Sequence, residues 1–79
     1  MTEFRIEAEW DSEAEVWIAT SPDVPGLVLQ GRTHDEIIEK VRLVLPALIE
    51  IGVEAEDRLN VTFRKNPGRE EMRSLPLAA

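Results

Sequence analysis

The 79-residue chain has no cysteine and a single histidine. Without cysteine there is no disulfide to brace a small core and no thiolate to act as a nucleophile. With one imidazole there is no zinc-type ligand set. The four glycines, Gly26, Gly31, Gly52 and Gly68, are scattered. Neither a P-loop nor a G-x-G-x-x-G turn can be built from them. No serine sits in a nucleophile-elbow pattern. Long apolar runs are also missing. The longest, Leu43-Val44-Leu45-Pro46-Ala47-Leu48-Ile49, falls far short of the ~20 residues of a membrane span. The N-terminal Phe4-Arg5-Ile6-Glu7 has no apolar h-region, so it does not read as a signal peptide. These absences lead to a soluble, cytoplasmic protein with no cofactor, no metal, no membrane association and no evident small-molecule substrate.

Length allows one domain at most. A lone core of this size supplies only ~3–5 kcal/mol, so self-association, most simply a homodimer, is expected to add stability. Charge is plentiful and uneven, the total being −7. Residues 1–57 hold 14 acidic and four basic side chains, a net of −10. Residues 58–79 hold five basic and two acidic ones, a net of +3. An acidic body repels phosphate backbones, which disfavours direct nucleic-acid binding, and it attracts basic proteins. The plainer reading is that the charge keeps a small protein in solution.

Phe4, Ile6, Ala8 and Trp10 alternate with Glu3, Arg5, Glu7 and Glu9, the period of two of a half-buried strand. Asp11-Ser12-Glu13-Ala14-Glu15 suits a hairpin loop, and Val16-Trp17-Ile18-Ala19-Thr20 returns as a second strand. Ser21-Pro22-Asp23-Val24-Pro25-Gly26 cannot continue it, because both prolines lack a backbone donor and Gly26 permits a positive φ. Leu27-Val28-Leu29-Gln30 is a third strand. Thr33-His34-Asp35-Glu36 fits a capping box, with Thr33 accepting from the Glu36 amide and Glu36 returning to the Thr33 amide. Ile37, Ile38, Val41, Val44, Leu45, Leu48 and Ile49 then recur at helical spacing. Pro46 leaves two courses open: one bent helix from about His34 to Ile51, which keeps the stripe in phase, or a stop near Leu45 with a new turn starting at Pro46. Gly52 is the candidate C-cap. Arg58 to Lys65 alternates again as a fourth strand, and Asn66-Pro67-Gly68 ends it. Residues 66–79 read as a loose tail. The expected fold is α+β: a three-stranded antiparallel meander, one long helix on one sheet face, then a fourth strand, all within residues 1–65.

In the second strand both faces are apolar, and the helix can cover only one. Either Trp17 or the Val16/Ile18 pair must lie on the open side. An uncovered tryptophan would be a natural anchor for another protein. Asp11, Glu13 and Glu15 share one hairpin, but their spacing lacks the central glycine and terminal glutamate of a calcium loop. His34 lies at the first turn of a helix and reads as a surface residue beside a cap rather than a general base. Arg64, Lys65, Arg69 and Arg73 have no interleaved aromatic residues, a weak signal for nucleic acid.

Taken together, Trp10-Asp11, Val16-Trp17-Ile18-Ala19, Ser21-Pro22-Asp23-Val24-Pro25-Gly26-Leu27, Thr33-His34-Asp35-Glu36 and Val41 through Leu45-Pro46-Ala47-Leu48-Ile49-Glu50 resemble the HicB-like proteins. These are the antitoxin side of bacterial HicA–HicB pairs. The chain more closely resembles a short, stand-alone, uncharacterised family within that group. The likeness covers about residues 4–65. It implies a truncated ribonuclease-H-like domain that binds and masks a small basic ribonuclease toxin, without catalysis of its own. Asp11, Glu13, Glu15, Trp17 and Asp23 are the residues expected at that interface. Asn66–Ala79 is too short for the C-terminal DNA-binding module usual in that group, so none is expected there. The alternative is a homo-oligomeric domain with no toxin partner.

Overall fold

In a computed structural model the described residues are 2–49, 56–65 and 68–77. They form β1 (Glu3–Asp11), β2 (Val16–Thr20), β3 (Val28–Gly31), α1 (His34–Leu48), β4 (Arg58–Lys65) and β5 (Arg69–Pro76). Among the described residues the strands make one sheet in the order β3-β2-β1-β4-β5. β1 runs parallel to β4, and every other neighbouring pair is antiparallel. The class is α+β, as expected, but the sheet has a fifth strand.

That fifth strand corrects the expectation of a loose tail after Lys65. β5 pairs along the whole of β4, from Lys65↔Arg69 to Arg58↔Pro76. Charged residues fall on both of its faces, so no alternation announced it. Pairing decides the matter: without β5, the outer backbone groups of β4 would lack ladder partners. Leu77 follows as a buried plug, and its amide donates to the Asp57 carbonyl at 2.9 Å. Gly68, at φ +70°, makes the turn into β5 in the left-handed region that favours glycine.

The core lies between α1 and one sheet face. Ile6 and Ala8 from β1, Trp17 and Ala19 from β2, and Leu59, Val61 and Phe63 from β4 meet Ile37, Ile38, Val41 and Leu45 of the helix. Thr33 caps α1 as its sequence foretold, its Oγ1 accepting from the Glu36 amide at 3.1 Å. The return bond differs: the Glu36 carboxylate takes the Arg32 amide at 3.1 Å, one residue earlier than a regular capping box. α1 passes through Pro46 and ends at Leu48 with Ile49 as its C-cap, short of the expected Ile51. The proline removes a single ladder bond near the end of the helix, where loss is cheapest. The proposed cap Gly52 lies outside the described residues. The buried stripe is also narrower than its periodicity suggested, since Leu48 is exposed and Val44 and Ile49 are half-buried.

Candidate protein-interaction face

Residue alternation fixes what the sheet face opposite the helix carries, a face that no described helix or strand covers. Opposite the core side, β1 places Glu3, Arg5, Glu7, Glu9 and Asp11. β2 places Val16, Ile18 and Thr20 there, and β4 places Arg58, Asn60, Thr62 and Arg64. The face is therefore acidic along its central strand, apolar toward β2 and basic toward β4.

Trp17 does not belong to it. The register pairs Trp10 with Trp17 and Ala8 with Ala19, so Trp17 falls on the helix side with Ile6 and Ala8. It is only 6% exposed and packs edge-on against Trp10, His34 and Phe63, with ring centroids 5.4, 4.9 and 5.3 Å away. An interface anchor at Trp17 is thus corrected to a core residue. The open side receives the Val16/Ile18 pair, the other of the two possibilities. Sequence reasoning held the needed signal: a four-residue loop after Asp11 sets Asp11 opposite Val16, and that register puts Trp17 beneath the helix.

The hairpin carboxylates separate into different roles. Asp11 Oδ1 accepts from the Glu13 and Ala14 amides at 3.0 and 3.2 Å and so holds the turn together. Glu15 enters β2 at φ 56°. Asp11 and Glu13, with Glu7, Glu9, Ile18 and Arg64, line an open hollow of ≈580 Å³. Glu7 is paired with Arg64 at 3.2 Å, and Arg64 also reaches Glu70 at 3.0 Å. These two carboxylates, Glu70 first, raise the Arg64 pKa.

Asp23 stands apart as a strut. Its carboxylate accepts from the Arg5 amide at 2.8 Å and from the Arg5 guanidinium at 3.0 and 3.3 Å. That fork, first through the side chain and then through the amide, holds the Asp23 carboxyl below its ordinary value. Ser21 Oγ donates to the Arg5 carbonyl and accepts from the amides of Asp23 and Val24. The corner is thereby pinned to β1, and Val24 and Leu27 drop into the core on either side of Gly26, at φ +87°. The Ser-Pro-Asp-Val-Pro-Gly-Leu segment is architecture.

On the helix side, His34 lies flat on Phe63, 3.8 Å between centroids at 11°, with Nδ1 3.5 Å from Glu71. Sequence reading placed His34 at the surface beside a cap; the ring is in fact half-buried as part of the aromatic cluster. Lys65 Nζ sits 4.8 Å over Trp10 at the rim of the same cluster. Asp57, read as part of an acidic connection, is buried, and its Oδ1 accepts the Thr2 amide at 2.8 Å. Among the described residues no group of three or more histidine or acidic side chains is placed to hold a metal ion. Likewise no helix among them is long and apolar enough to cross a membrane.

A small α+β domain with one helix over one face of a mixed sheet is the class defined by this geometry. The chain belongs to the family described as a domain of unknown function, DUF1902, which it matches over residues 3–74. The match runs through most of β5, so the family pattern takes in the strand that periodicity alone misses. The chain is also similar to the hypothetical protein TTHA1013 from the extremely thermophilic bacterium Thermus thermophilus. Identity is 32%, the TM-score is 0.69, and the likeness covers 78% of this chain and 92% of that one. No curated protein is a match for the chain.

Proposed function

We propose that this is a non-catalytic protein-interaction domain of the HicB-like antitoxin type, acting in the cytoplasm to bind and mask a small basic ribonuclease toxin. The observation that carries the reading is the sheet face away from α1, with Glu3, Glu7, Glu9 and Asp11 projecting from its central strand beside Ile18. Carboxylates speed the encounter with a basic partner, and the apolar flank gives the contact area that charge alone does not. His34 supports a non-catalytic role, because its ring is stacked on Phe63 rather than presented beside a nucleophile.

The test is co-purification with a small basic protein encoded in the adjacent reading frame. The wild-type chain is expected to retain it at low salt and release it as salt rises. Glu9→Lys with Glu13→Lys should abolish capture while leaving the circular dichroism unchanged. Capture undiminished by both reversals, or an adjacent frame that encodes no such protein, overturns the masking role.

A further inference from the structure

We infer that the free edge of β5 is a self-pairing strand, joining two copies antiparallel about a two-fold axis at Met72. The inference stands independently of the masking role. The Leu77 amide donates to the Asp57 carbonyl, which marks Asp57/Leu77 as a hydrogen-bonded pair of the β4–β5 ladder. Pairs alternate along an antiparallel ladder. Leu59/Leu75, Val61/Arg73, Phe63/Glu71 and Lys65/Arg69 are then bonded pairs as well. The backbone groups of Glu70, Met72, Ser74 and Pro76 therefore point away from β4, at the free edge.

The end of that edge is already closed. Pro76 has no N–H to offer, and its carbonyl accepts from the Arg42 guanidinium at 2.8 and 3.3 Å. Glu70, Met72 and Ser74 retain outward donors and acceptors that no described residue takes. Met72, at their centre, is 70% exposed.

Side-chain charge selects both the occupant and its register. With Met72 opposite Met72 of a second copy, Glu71 faces Arg73 twice, on the helix side of the joined sheet. Glu70 faces Ser74 twice, on the open side. The outward groups then match donor to acceptor in about six inter-chain bonds. A two-fold axis at Glu71 instead sets Glu71 against Glu71 and Arg69 against Arg73. An axis at Arg73 sets Arg73 against Arg73 and Glu70 against Pro76. Like charges directly opposite destabilise a strand pair. The intrachain partners of these two side chains are loose: Glu71 lies 3.5 Å from His34 and Arg73 lies 3.4 Å from Asp35. Both remain near enough to the edge to meet a second strand.

The experiment combines solution mass with cross-linking. Wild-type protein is expected at twice 9.0 kDa by sedimentation equilibrium at micromolar concentration. Met72→Pro should be monomeric with an unchanged circular dichroism spectrum, because the Met72 N–H faces away from β4 and an edge position of that kind tolerates proline. The chain has no cysteine of its own, so an introduced one reports cleanly. Under oxidation Met72→Cys should form a disulfide dimer, a bonded antiparallel pair holding Cα atoms at about 5.5 Å. Ser74→Cys alone should not, its two copies lying about 13 Å apart along the strand. Ser74→Cys mixed with Glu70→Cys should cross-link. A monomeric wild type overturns the inference, as does a dimer that survives in Met72→Pro. So does Ser74→Cys cross-linking as readily as Met72→Cys. If Met72→Pro does not fold, the three cysteine arms still decide. None of these variants alters the β1 or β2 side chains of the open face or the hairpin carboxylates, so failure of the dimer and failure of toxin masking are read separately.

Discussion

Trp17→Ala is the sharpest probe of which sheet face the helix covers. Trp17 is nearly buried and touches rings from β1, α1 and β4. Truncating such a side chain removes its transfer free energy and leaves a cavity, together about 3–5 kcal/mol. A lone core of this size supplies only ~3–5 kcal/mol in all. The variant therefore sits near the folding threshold. In urea, with a slope of about 1 kcal/mol/M for so small a domain, the midpoint should fall by about 3 M or the cooperative transition should vanish. The assay is circular dichroism in urea at one fixed protein concentration, since self-association would make the midpoint depend on it. Ile18→Ala is the control. Ile18 is the next residue, half-buried on the opposite face, and its truncation is expected to cost about 1 kcal/mol. If Trp17→Ala costs less than Ile18→Ala, the register of the first hairpin is wrong, and with it the division of the sheet into a packed and an uncovered side.

The remaining predictions concern local supports. Thr33→Ala should cost about 1 kcal/mol by urea midpoint and Thr33→Ser almost nothing, because the hydroxyl bond to the Glu36 amide is what each keeps or loses. Gly31→Val should cost about 1–3 kcal/mol, since even a Cβ there would stand 3.1 Å from Ile37 Cδ1; a neutral result would show slack between β3 and α1. Deleting residues 66–79 should abolish the cooperative transition, whereas an unchanged midpoint would restore the loose-tail reading. Asp23 and Glu36 are both held below their ordinary values of 3.8 and 4.5, Asp23 foremost by the Arg5 side chain and Glu36 foremost by the Arg32 amide. A lowered folded pKa means stability that is full above the unfolded value and lost as pH falls through the folded one. The urea midpoint should therefore hold from neutrality to about pH 5 and drop below it, and Asp23→Asn should blunt the drop.

Periodicity made β1 and β4 legible, because each presents one apolar face and one polar face; β2 showed as a β-rich run between a polar loop and a Pro/Gly corner, and the start of α1 showed by its side-chain cap. Two features escaped for different reasons. β5 has no apolar face to announce it. Arg69, Glu70, Glu71, Met72, Arg73 and Ser74 become a strand because β4 needs ladder partners and because Arg64 reaches Glu70 across the pair at 3.0 Å. That is a tertiary demand, invisible to a local window. The side of Trp17 escaped because both faces of β2 are apolar, so alternation could not choose between them. Hairpin register could, and the candidate site moved with it: the exposed tryptophan gave way to a carboxylate row beside Ile18. Asp57 is a third case. A run of acidic residues hides the one whose carboxylate is buried to receive the Thr2 amide.

The two edges of the sheet show how so small a domain can be open to one partner and closed to others. β3 is four residues long, Gly31 lies beneath Ile37, and Lys40 Nζ holds the Gln30 carbonyl at 2.6 Å. Little ladder remains there to extend. β5 is eight residues long and stops at a proline whose carbonyl is already taken by Arg42. Charged side chains on an edge strand guard against indiscriminate pairing. A guard made of one sign would repel a second copy, setting like charges opposite each other. The charges nearest the centre of β5 instead change sign across Met72, Glu71 before it and Arg73 after it. An unrelated apolar strand would bury both without compensation. An antiparallel copy meets each with its opposite. The same residues that block general strand addition thus admit one sequence in one register, and the dimer they admit would lengthen a sheet whose single core is otherwise near the lower limit of independent stability.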